Sequence, residues 1–130
     1  MADTIQILTT NTFSNSATLK SAKVKGDAYF GTTDGLHTVM VDLSGFIGTI
    51  KIQGSLETTP AETDWFDTEL ELDNFTVDTT GLVTKLAKSL AYSAAETSVK
   101  AYNTTGNLVW LRADISNWTA GTISRIELNR

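Results

Sequence analysis

A chain of 130 residues, 41% hydrophobic and 19% charged, has the apolar content for one folded domain spanning 1–130 and too few residues for a second core. Its apolar runs are only a few residues long, which excludes a membrane-spanning helix, and the lack of cysteine excludes a disulfide framework or a thiolate metal site. A net charge of −5 argues against a nucleic-acid partner, and the acids are concentrated: residues 52–84 hold eight of them and no Lys or Arg.

In chain order, Ile5 and Ile7 alternate in "TIQIL" and predict a first strand. The mixed period of "ATLKSAKVKG" implies a strand with a bulge, its Lys20, Lys23 and Lys25 forming a solvated face. Asp34-Gly35 is a turn pair, and His37 behind it is expected at an exposed strand entry. Val39, Val41 and Leu43 then point inward, Gly45 and Gly48 mark a tight turn, and Ile50 and Ile52 point inward again, so this region reads as a hairpin. The acidic loop 57–67 follows, stiffened by Pro60, with Trp65 and Phe66 expected to pin its return to the core.

Beyond the loop, Leu70 and Leu72 alternate with Glu69, Glu71 and Asp73, a strand with an acidic wet side. Leu82, Leu86 and Leu90 recur at helical spacing in an Ala-rich stretch, which predicts a short helix near residues 82–95. Two arms around Asn103–Asn107, with Gly106 at the turn, read as a second hairpin. Leu108–Leu111 reads as a central strand with Trp110 in the core, and Ile126 and Leu128 as the inner face of a last strand. The sum is an all-β fold, a single antiparallel β-sandwich of jelly-roll-like type.

The chemistry-bearing residues do not assemble into a reaction centre on paper. His37 is the only histidine and there is no cysteine to pair with it, so no catalytic residues are expected and the chain reads as a non-enzyme. Glu69 and Glu71 share a strand face and satisfy a glycosidase-like spacing trivially. Glu57, Glu62, Asp64 and Asp67 offer oxygens to calcium, but "ETTPAETDWFD" lacks both the alternating Asp pattern and a glycine to curl around an ion. No metal and no cofactor is expected. Trp65 and Trp118, each beside a turn, together with Glu62 and Asp64, are the candidate contacts to a partner protein or a host glycan.

Two segments, "LSGFIGTIKIQGSLETTPAETDWFDT" (Leu43–Thr68) and "LVWLRADISNWTAGTISRIEL" (Leu108–Leu128), resemble the strand pairs of small β-sandwich virion proteins of tailed bacteriophages. The acidic loop and the Ala-rich Gly81–Glu96 segment depart from that family's pattern. The resemblance implies a virion location in the head, neck, tail or fibres, and partners that are other copies of the chain and other virion proteins. It implies no catalytic residues; that no nucleic acid and no membrane is a partner is expected from the net charge and the short apolar runs. A carbohydrate- or receptor-binding module is the alternative expectation.

Overall fold

The computed structural model describes residues 4–8, 11–12, 18–31, 35–77, 79–81 and 83–130. The strands are β1 (Thr4–Leu8), β2 (Asn11–Thr12), β3 (Leu19–Lys20), β4 (Val24–Lys25), β5 (Leu36–Ser55), β6 (Phe66–Asp67), β7 (Leu70–Val77), β8 (Val83–Ala87), β9 (Leu90–Thr105) and β10 (Trp110–Asn129). Short 3₁₀ turns occupy Asp27–Phe30 and Glu62–Asp64. The fold is all-β and antiparallel. Hydrogen bonding links the strands in the order β1-β10-β5-β9-β7-β8; β2, β3 and β4 also lie along β10, and β6 lies along β5.

Two 20-residue strands, β5 and β10, form the spine, paired from Trp110↔Ser55 to Asn129↔Thr38. The alternation of β5 explains how so long a strand encloses a core. Odd-numbered Val39, Val41 and Leu43 are buried, then even-numbered Phe46, Ile50 and Ile52 are. One extra residue at Ser44–Gly45 switches the parity, and Gly45 takes the left-handed φ of 64° that a bulge of this kind needs. Opposite it, Gly121 has φ 84°, and a Cβ there would stand 2.1 Å from the Gly45 carbonyl oxygen. The two backbones can touch because Gly121 carries no side chain.

Both arms of the bent spine feed one core. Val39, Val41, Ile126 and Leu128 on one side of the bend join Ile50, Ile52, Leu111 and Ile115 on the other in a single cluster. Phe46 and Trp118 fill the corner with ring centroids 5.6 Å apart at an interplanar angle of 63°.

Four sequence expectations are corrected. The hairpin read across Gly45 and Gly48 is one continuous strand, because Gly45 inserts a residue without reversing the chain. The hairpin read around Gly106 is absent: β5 lies between β9 and β10 in the sheet. The helix read near residues 82–95 is replaced by β8 and the first part of β9, whose partners Leu90↔Ile50 and Tyr92↔Gly48 override the helical spacing of the leucines. Trp110 is half-buried at the start of β10 rather than in the core. The extra residue of the bulge read in "ATLKSAKVKG" is present, since the five residues from Lys20 to Val24 face four on β10, Asp114 to Leu111.

Candidate functional site

The acidic loop is an arch held down by a buried cation. It leaves β5 at Ser55, whose carbonyl accepts from the Val109 N–H at 2.9 Å, and returns at Thr68, whose N–H and hydroxyl both donate to the Ile52 carbonyl at 2.8 and 2.7 Å. Arg112, facing Gln53 across β10 and β5, is only 8% exposed and so must spend its donors on fixed partners. Its Nε donates to Gln53 Oε1 at 2.8 Å; Nη1 and Nη2 donate to the two Glu62 oxygens at 3.2 and 2.9 Å. Its guanidinium lies 4.3 Å from the centroid of the Trp65 ring. Lys20 Nζ adds a third contact to Glu62 Oε1 at 3.0 Å. Hydrogen bonds from Arg112 first, then from Lys20, hold the Glu62 carboxyl down from an ordinary 4.5 to about 2.

The expected contact residues therefore divide. Glu62 and Trp65 are brought together, but on Arg112. Asp64 turns back to accept from the Ala61 N–H at 2.7 Å, closing its own 3₁₀ turn. Trp118 is 2% exposed and its Nε1 donates to the carbonyls of Ala120 and Gly121, so its ring serves the corner of the core and offers no face outward. Asp67 accepts from Gln53 Nε2 at 3.1 Å and lies 3.6 Å from Lys51 Nζ. Among the described residues no three of His, Asp and Glu gather as a set of metal ligands. His37 is also displaced from its expected role: it is fully buried, its Nε2 accepts from the Asp27 N–H at 3.1 Å, and its Nδ1 donates to the Gly35 carbonyl. A backbone N–H can only donate, so the imidazole here is the neutral Nδ1–H tautomer.

What the arch does create is a groove on its outer side, with a volume of about 720 Å³. Leu36, Leu56, Phe66 and Leu86 line it, each between 43% and 62% exposed. Phe66 thus faces out instead of pinning the arch to the core. Asp67, Glu69 and Glu71 make the groove acidic, with Lys88 the one cation among the described residues lining it. The buried hydroxyl of Thr104 also borders the groove and has no hydrogen-bond partner among the described residues. A concave, apolar surface rimmed mainly by acids is the pattern of a recognition site.

Comparison with family models, with curated proteins and with solved structures returned no match. The site therefore rests on its own geometry. Sequence reasoning missed the groove because its exposed apolar residues come from four separate segments that only folding brings together. Leu56 carried the one local signal: it follows Ser55 out of the strand alternation and enters a polar loop.

Proposed function

We propose that this chain is a non-enzymatic structural protein of a tailed-bacteriophage particle, in the head, neck, tail or fibres, acting through protein–protein contacts and self-association. The observation that carries this reading is the groove: four exposed, large apolar side chains are gathered on one concavity instead of being scattered over the surface. The strand-pair motifs at Leu43–Thr68 and Leu108–Leu128 supply the virion context, and contacts repeated over a symmetric particle gain strength from multivalency. Mass spectrometry of purified particles is the test, with the chain expected at a fixed copy number per particle. Its absence from washed particles overturns the reading.

A carbohydrate- or receptor-binding role is favoured by one observation, the exposed Phe66 ring beside Asp67, Glu69 and Asn103, which is the pairing of ring face and hydroxyl acceptors that sugars use. A glycan array distinguishes the two: saturable binding lost in Phe66→Ala supports the sugar site, and an empty array removes it.

A further inference from the structure

The groove has a counterpart on the same molecule. The 3₁₀ turn Asp27–Phe30 projects Tyr29 and Phe30, 44% and 54% exposed, edge to face at 5.2 Å. Cations stand over these rings: Lys25 Nζ is 4.5 Å from the Tyr29 centroid, and the Arg130 guanidinium 4.6 Å from that of Phe30. Lys23 lies 4.9 Å from the ring of Trp110, which itself packs against Tyr29 at 5.1 Å. Among the described residues, three cations, Lys23, Lys25 and Arg130, thus surround an aromatic knob that contains one acid, Asp27, while three acids and one lysine line the groove. Of the seven large apolar residues exposed among the described residues, four line the groove and two form the knob, leaving only Val99 elsewhere. Apolar character and charge are complementary between the two patches.

Knob and groove are also neighbours. Leu108 lines the groove, and its carbonyl accepts from the Ala28 N–H in the knob at 3.0 Å; the adjoining Val109 carbonyl accepts from Gly26 at 2.8 Å. The knob is held rigid from beneath by the Asp27 N–H on buried His37. Two complementary patches side by side cannot meet within one chain, because the Leu108–Val109 backbone separates them. A twofold axis through that boundary brings each knob over the other copy's groove and satisfies both at once, whereas patches on opposite ends would give an open chain.

We propose that two copies of this chain form a twofold-symmetric dimer in which the basic aromatic knob of each sits in the acidic groove of the other. The inference deepens the self-association in the function proposed above and names its partner. It is tested by sedimentation velocity on the full chain with two double variants, Lys23→Glu with Lys25→Glu in the knob and Glu69→Lys with Glu71→Lys in the groove. All four positions are exposed and lie outside the ion pairs of the described residues, so the fold, followed by circular dichroism, is left intact. The wild type is expected to reach twice the monomer mass and no more, weakening with salt. Each double variant alone is expected to dissociate at least about tenfold more readily. An equimolar mixture of the two is expected to restore the dimer, since the reversed knob then meets the reversed groove at one contact and the unaltered knob meets the unaltered groove at the other. A wild type that stays monomeric to roughly millimolar concentration, mass that grows without limit, or a mixture that fails to re-form the dimer overturns the proposal. A monomer that is nonetheless present in purified particles would refute the dimer and leave the structural role standing.

Discussion

Arg112 has the largest share of fixed polar contacts on the arch, and its geometry makes the chain's acid response specific. The Glu62 carboxyl is held at about 2 when folded, below its ordinary 4.5, by hydrogen bonds from Arg112 and then Lys20. A depressed pKa means the folded state favours the charged form. The stabilisation is therefore present above pH 4.5 and lost as pH falls from there toward 2. Glu62→Gln is expected to be less stable than the wild type at neutral pH, with the gap closing between pH 4.5 and 2; urea unfolding midpoints across that range measure it. Thr104 carries the opposite expectation. Its hydroxyl is buried without a partner among the described residues, so Thr104→Val removes a desolvated polar atom at constant shape and is expected to raise stability by about 1 kcal/mol in denaturant unfolding. An unchanged or lowered stability would mean that the hydroxyl has a stabilising partner in solution.

At the scale of elements, the two glycines at the bend of the spine are not equivalent. Gly45 needs only its positive φ and has nothing within 4 Å of a Cβ, so Gly45→Ala is expected to cost about 1 kcal/mol. Gly121 needs both its φ and the space, since its Cβ would collide with the Gly45 backbone; Gly121→Ala is expected to cost at least about 3 kcal/mol. Thermal unfolding of the pair separates the two effects, and equal losses would mean that the backbones part easily there. The same corner shows what was legible in the sequence. Val39, Val41, Leu43, Ile50 and Ile52 were all readable as inward by alternation, but a glycine that adds one residue and a glycine that reverses the chain look alike in a single sequence. The leucines at 82, 86 and 90 misled for a related reason: local spacing favours a helix, while the pairing that makes Leu90 a strand residue lies at Ile50, far along the chain.

For the molecule as a whole, the all-β class followed from threonine-rich alternation and turn residues, whereas the site did not. The groove and knob exist only because folding brings together Leu36, Leu56, Phe66 and Leu86, and sets the Tyr29–Phe30 turn against Leu108. Arg112 was invisible for the same cause, being one charge in a strand until the arch settles on it. The spine carries a further consequence, for synthesis. Strands β5 and β10 meet through residue pairs 55 to 91 positions apart, from Ser55↔Trp110 to Thr38↔Asn129. At ordinary translation rates of about 5–20 residues per second, β5 waits roughly 3 to 18 seconds for its partner. During that interval its apolar face and one bonding edge are open to other nascent chains. A chain stopped at Val109 is accordingly expected to be insoluble, and the chain released past Asn129 to be soluble, when fractionated after cell-free synthesis. On a crowded polysome, the protein's most dangerous neighbour is another unfinished copy of itself.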